Sequence, residues 1–216
     1  MFTTVSAGGV NGYLLKTSTG FILIDTLFVK NRAHLKAELD RAGCQPGNLN
    51  LIILTHGDFD HTGNAVYLRE TYGAKIAMHK DDVGMAEYGD MFYNRRPRPW
   101  FVRLFMKVLL IAIGQRHFDK FTPDICLDDG QRLTEFGLEA QVISLPGHSK
   151  GSIGILTNSG DLFCGDLFEN RKRPKKGMII DDPVEYDASI DKLKGFDIQN
   201  IYPGHGKAFT LDQYVP

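Results

Sequence analysis

The sequence predicts a mixed α/β chain in which two packed β-sheets carry helices on their outer faces. Two observations lead there. The first half alternates short apolar runs with segments of helical spacing. The second half is a succession of short strands broken by Gly, Asp or Asn. Such an order implies sheet packed on sheet with helices outside. The chain of 216 residues, 43% hydrophobic and 24% charged, has the composition of an ordinary globular protein and the length for a sizeable core. No Gly/Ser-rich linker or internal repeat divides it, so we expect one domain over residues 1–216.

Val10 to Leu15 and Phe21 to Asp25 read as strands joined by the turn Thr17-Ser18-Thr19-Gly20. Lys30 to Ala42 has helical spacing at Ala33, Leu35, Leu39 and Ala42, with Gly43 as its stop. Leu51 to Leu54 is a short apolar run between Asn50 and Gly57, the pattern of a buried strand. Helical spacing returns at Ala65, Val66, Leu68 and Tyr72 and ends at Gly73, and Lys75 to Met78 is a further strand. A helical insertion follows at about residues 81–123. It contains a basic turn, Asn94-Arg95-Arg96-Pro97-Arg98-Pro99, and then Trp100 to Ile113, apolar except for Arg103 and Lys107. Those two charges are four apart and share one narrow helix face. The segment is too short for a transmembrane span. A lid or wall over the active site, a homodimer contact through 100–113, and an in-plane membrane helix remain open for it, the membrane contact least favoured. Further strands are expected at Ile125–Leu127, Gln131–Phe136, Ala140–Leu145, Ser152–Thr157 and Leu162–Cys164. A helix from Pro183 to Gly195 and a last strand, Ile198 to Tyr202, complete the chain.

The chemistry concentrates just after the Leu51–Leu54 run. His56, Asp58, Asp60 and His61 lie within Thr55-His56-Gly57-Asp58-Phe59-Asp60-His61-Thr62-Gly63, between a strand and a helix. Imidazole and carboxylate are the usual ligands of first-row divalent metals. His56 and Asp58 could serve one ion, and Asp60 and His61 a second. Helix capping would explain an aspartate or a threonine here, but not two histidines around two aspartates. Three later segments each end an apolar run on one potential ligand beside glycine: Pro146-Gly147-His148, Cys164-Gly165-Asp166 and Pro203-Gly204-His205. His79 ends a strand and reads as a surface residue, as do His34 and His117.

Together these motifs resemble the metallo-β-lactamase-fold hydrolases, whose signature is a Thr-His-x-His-x-Asp-His loop followed by single His, Asp and His ligands. The resemblance runs from about Gly12 to His205. It implies a four-layer αββα sandwich of two mixed β-sheets flanked by helices, with metals at one edge. It also implies a division of ligands: His56, Asp58 and His148 for metal one; Asp60, His61 and His205 for metal two; Asp166 bridging both. An aspartate at the place of Asp25 supports the metal loop in that family, while a strand-ending turn acid is the other reading. One position departs from the pattern: the family's second histidine is Asp58 here.

The expected activity is metal-dependent hydrolysis by a binuclear site. A metal-bridging hydroxide would attack a small ester, thioester, lactone or phosphodiester, with Asp60 as the catalytic residue that orients the nucleophile and moves protons. Zinc is the first expectation for two divalent ions. The extra carboxylate of Asp58 brings iron and manganese into competition. A diiron redox enzyme with a separate electron donor, reducing oxygen or nitric oxide, is the alternative, as is a single-metal or degenerate binding protein. Arg171 and Lys172, in the basic stretch Asn170 to Lys176, are candidates to grip an anionic substrate, against the plainer reading of a solvated loop. The net charge of −1 argues against a nucleic-acid partner. Three cysteines, Cys44, Cys126 and Cys164, cannot all pair and are expected as free thiols. With no charged n-region followed by an apolar stretch at the start, a cytoplasmic location is expected.

Overall fold

The computed structural model describes residues 1–97, 101, 104, 108 and 119–215. Two sheets face each other. The first holds six strands in chain order: β1 (Phe2–Ala7), β2 (Val10–Lys16), β3 (Phe21–Ile24), β4 (Leu49–Ile53), β5 (Lys75–His79) and β6 (Ile125–Leu127). The first three pair antiparallel through tight turns, and β3 to β6 pair parallel. The second sheet runs β10 (Lys175–Lys176), β9 (Asp161–Asn170), β8 (Ile153–Thr157), β7 (Ala140–Ser144), with β11 (Asn200–Gly206) parallel to β9.

Side-chain alternation along the strands assigns the layers. In β3, Ile22 and Ile24 point to the partner sheet, while Leu23 points to the helices. In β4, Leu51 and Ile53 face inward and Ile52 outward. Facing them from the second sheet are Ala140, Val142, Ile153, Ile155 and Phe163, all buried. Helices α1 (Arg32–Arg41) and α3 (Ala65–Tyr72) cover the outer face of the first sheet with Leu35, Leu39, Leu68 and Tyr72. The late helix Pro183–Leu193 covers the second with Tyr186, Ile190 and Leu193. Sheets apolar on both faces need exactly this cover, since each unburied face would expose aliphatic surface worth about 25 cal/mol per Å². The result is the expected αββα arrangement.

Two local expectations are corrected and one strand is added. Gln131–Phe136 is not a strand: it makes one isolated bridge, Arg132 to Gln141, and then a 3-10 turn at Thr134–Phe136. The opening Phe2–Ala7 is a full strand, paired residue for residue with β2. His79 is buried, and its Nδ1 accepts the Asp81 N–H to cap the next turn. His34 is exposed as expected. Of the expected helix over 100–113, only Phe101, Leu104 and Val108 are described; they are helical and exposed, and the rest of that expectation, with His117, lies outside the described residues. No described helix is long and apolar enough to cross a membrane. Cys44 and Cys164 are buried free thiols and Cys126 is an exposed one.

Candidate metal centre

All seven expected ligands are brought together, from strands, the loops that follow them and one helical turn. The strand β4 delivers Thr55 and His56, and one helical turn, α2 (Phe59–Thr62), carries Asp60 and His61. His148 follows β7, Asp166 lies within β9 and His205 within β11. Two close approaches make glycine necessary. A Cβ on Gly204 would stand 2.4 Å from Asp166 Oδ1, and one on Gly165, whose φ is +52°, would stand 2.5 Å from Thr55 Oγ1.

The rings are aimed by their Nδ1 atoms. His61 Nδ1 donates to Asp25 Oδ2 at 2.8 Å, His148 Nδ1 to the Ile179 carbonyl at 2.8 Å, and His205 Nδ1 to the Gly9 carbonyl at 2.7 Å. His56 Nδ1 lies 3.0 Å from Thr55 Oγ1, whose own proton goes to Asp25 at 2.8 Å. When neutral, each ring therefore presents its Nε2 lone pair inward, the usual way a protein fixes the tautomer of a metal-binding histidine. Asp25 also accepts the Thr55 N–H at 2.8 Å and holds φ at +59°, a backbone state uncommon outside glycine. Of its two readings, the supporting role is the one seen.

The inward atoms form two trios: His56, Asp58 and His148; and Asp60, His61 and His205. Asp166 stands beside the second trio and also groups with His56 and His61. Its Oδ1 is 3.3 Å from His61 Nε2 and its Oδ2 3.2 Å from His205 Nε2. Asp60 Oδ2 is 3.7 Å from His61 Nε2 and 3.5 Å from His205 Nε2. Ligands on a tetrahedral ion at 2.0–2.1 Å stand about 3.4 Å apart, so these spacings fit a divalent cation. His61 Nε2 and Asp166 Oδ1 on the side of the second trio, and His56 Nε2 and Asp58 Oδ1 in the first, are buried with no hydrogen-bond partner, and such orphaned atoms are otherwise costly. The second trio with Asp166 thus has the donor set, the spacing and the unmet valences of a metal site.

Electrostatics mark the same place. Burial alone would raise the Asp166 carboxyl, but His205 and His61 outweigh it and hold it well below the usual range. Burial would lower His205, yet Asp166 and Asp60 push it up to about 10. The carboxylate and the imidazoles thus stabilise one another's charge, and a bound metal ion would take the place of the imidazole protons.

The first trio is different. Burial would raise Asp58, but Arg95, His148 and His56 hold it far below the ordinary carboxylate range. Arg95 Nη2 lies 2.8 Å from Asp58 Oδ1 and 3.2 Å from His148 Nε2, and this side chain is 1% exposed. The basic turn of the sequence therefore supplies a residue of the site. Two further residues escaped sequence reasoning. Buried Asp82 accepts the N–H groups of Gly57 and Gly151, at 3.0 and 2.8 Å, and the Ser149 hydroxyl at 2.6 Å, tying the metal loop to the His148 loop. Tyr186 donates its hydroxyl to the Leu167 carbonyl beside Asp166 and accepts the Gly177 N–H at 2.8 Å. Neither carried a motif.

Over the site lies a cleft of about 210 Å³. Asp58, Asp60, Asp166 and His205 form its floor, Val10, Phe28, Phe59, Met91 and Ile179 an apolar wall, and Arg171 one rim. Arg171 Nε is 3.4 Å from Glu169. Lys172 is exposed and is not among the cleft residues.

The chain is similar to several known proteins. The chain is 26% identical over 212 residues to the beta-lactamase-like protein 2 homolog of Drosophila melanogaster, covering 92% of this chain and 59% of that one. It is 26% identical over 240 residues to the bovine acyl-coenzyme A thioesterase MBLAC2, covering 96% and 77%. A solved structure of a protein in a di-iron-bound form matches with a TM-score of 0.73 at 26% identity, covering 99% of this chain and 96% of that one. The chain spans 50–61% of the length of the first curated relatives it matches, among them hydroxyacylglutathione hydrolase GloC of Haemophilus influenzae. The sequence profile described as the metallo-beta-lactamase superfamily matches residues 5–205. With that match across nearly the whole chain, and a fold that agrees with it, this protein belongs to the metallo-beta-lactamase superfamily.

Proposed function

We propose that this protein is a metal-dependent hydrolase of small acyl compounds, with thioesters ahead of esters and lactones, and with phosphodiesters as the competing substrate class. One observation carries the reading: inward-facing imidazole nitrogens and carboxylates converge on the floor of a cleft with an apolar wall. The superfamily and the relatives named as an acyl-coenzyme A thioesterase and a hydroxyacylglutathione hydrolase support the thioester choice. Zinc is our assignment for the ion. Iron is the competing one, since a similar protein has been solved with two irons.

When bound, the metal supplies a water deprotonated near neutral pH and polarises the reacting oxygen. The chain's own residues do the rest. Asp60, whose side chain is 15% exposed at the cleft floor, would orient the reacting water and hold or move its proton. The wall of Val10, Phe28, Phe59, Met91 and Ile179 packs an acyl chain and excludes bulk water. Arg171 meets an anionic end of the substrate. The cleft is smaller than the ~300 Å³ lower bound of drug-sized sites, which fits a short acyl group.

The test is a substrate panel on zinc-loaded protein: acyl thioesters of anionic and neutral thiols, a phosphodiester and a β-lactam. Turnover of short acyl thioesters is expected, with Arg171→Glu raising KM for the anionic ones and Lys172→Glu leaving it unchanged. Hydrolysis of the phosphodiester alone would overturn the reading. Oxygen consumption with a reductant, and no hydrolysis at all, would replace it with the diiron redox alternative.

A further inference from the structure

The ligand atoms of the first trio are spaced as closely as those of the second, but a guanidinium stands against its carboxylate. We propose that Arg95 is the resident cation of the first trio, competing with metal for Asp58 and His148, so that the protein in its resting state holds one tightly bound ion. This rests on the reading of the second trio as a metal site.

Three sets of contacts carry it. Asp58 Oδ2 and His148 Nε2 stand 3.2 Å apart, and with His148 Nδ1 donating to Ile179, two acceptors face one another. Such a pair needs a positive group between or beside it. Arg95 Nη2 supplies one at 2.8 Å from Asp58 and 3.2 Å from His148. The carboxylate that replaces the family's histidine and the guanidinium that neutralises it thus account for each other. A divalent ion added beside a buried guanidinium would meet like-charge repulsion in a site with a single carboxylate of its own.

The position of Arg95 is built by its neighbours. On one side Asn94, at φ +64°, donates from Nδ2 to the Asp81 carbonyl at 3.0 Å and accepts from Lys150 Nζ at 2.8 Å. On the other, the Arg96 N–H donates to the Asp181 carboxylate at 3.0 Å, and the Arg96 guanidinium pairs with Asp182. The turn is stapled to both walls and the residue between them points in. The arrangement is also displaceable. Arg95 Nε and Nη1 are buried without hydrogen-bond partners, so the guanidinium occupies the site at a cost. If the arginine is withdrawn a tenth of the time or less, the apparent affinity of the first trio for metal falls about tenfold or more.

The experiment is zinc titration of chelator-stripped full-length protein, followed by calorimetry, with bound metal counted by mass spectrometry. Wild type should take one zinc tightly, with a second at least about tenfold weaker than in Arg95→Gln. Arg95→Gln should take two, and Arg95→Lys, which restores a cation, should behave as wild type. Asp58→His, which removes the arginine's partner and restores the family residue, should also take two, and stands in if Arg95→Gln fails to fold. Two equally tight ions in wild type, or one ion in both Arg95→Gln and Asp58→His, would overturn the inference and leave the metal-hydrolase reading intact. No zinc in wild type would overturn both.

Discussion

The two halves of the site solve the same electrostatic problem with different means. Around Asp60, His61, His205 and Asp166, acceptors crowd together, with His61 Nε2 and Asp166 Oδ1 buried and unpartnered, a set that imidazole protons or an added metal ion would balance. Around His56, Asp58 and His148, the chain brings its own cation, Arg95, on a turn 37 residues further along. The supports differ in the same way. Asp25 reaches a ligand directly, through His61 Nδ1, whereas Asp82 touches no ligand and ties backbone to backbone. What separates a metal site from a salt-bridged polar cluster is therefore the charge balance each local sequence supplies, as much as the ligand count.

The largest expected effect lies on the second half. Asp60→Asn should lower kcat by about 10²–10⁴-fold, the range for loss of a positioned proton-transfer group. An equal loss from Asp58→Asn would show that the halves are equivalent and break the comparison.

Next come the two supports. Asp25→Asn should weaken zinc binding by about 10–100-fold, as removing the partner of a metal-bound histidine does. Asp82→Asn should leave that affinity in place and lower the stability of the fold by about 1–3 kcal/mol, measured by denaturant unfolding. The reverse pattern would mean that the loop tie, not the histidine's orientation, governs the metal.

The halves should also answer pH in opposite senses once metal is removed. His205 has its free value of 6.5 raised to about 10 in the fold, where burial is outweighed by Asp166 and Asp60. Its stabilising contribution is therefore full below pH 6.5 and is lost as pH rises toward 10. His56 is shifted downward by burial and by His61 and His148, so its contribution is present above its free value and lost in acid. The melting temperature of chelated protein should fall from pH 7 to 10. Zinc, which binds neutral imidazole and releases protons, should flatten that slope.

The smallest effect belongs to the stapled turn. Lys150→Met removes one exposed bond to Asn94 and should change stability by less than about 0.5 kcal/mol. A larger loss would mean that the turn carrying Arg95 is held at its rim rather than by Asp181 and Asp182.

The sequence was most informative where chemistry is local. His56, Asp58, Asp60 and His61 sit within six positions, and each later ligand stands beside a glycine at a strand end, so the rim could be read residue by residue. The layers were legible for the same reason, because alternation in stretches such as Phe21–Ile24 is a local pattern. What failed depended on distance. Arg95 lies in a run of arginines and prolines that reads as a basic turn, and nothing in that run points to Asp58. Asp82 matters only because Gly57 and Gly151 meet over it. Gln131–Phe136 has a strand's composition, but Gly137, at φ +76°, ends it as a turn.

The most direct measurement is anomalous diffraction at the zinc edge from crystals of protein purified without added metal or chelator. The account predicts one strong peak per chain, among Asp60, His61, His205 and Asp166, with Arg95 still against Asp58. A peak confined to His56, Asp58 and His148, or no bound metal at either trio, would contradict it.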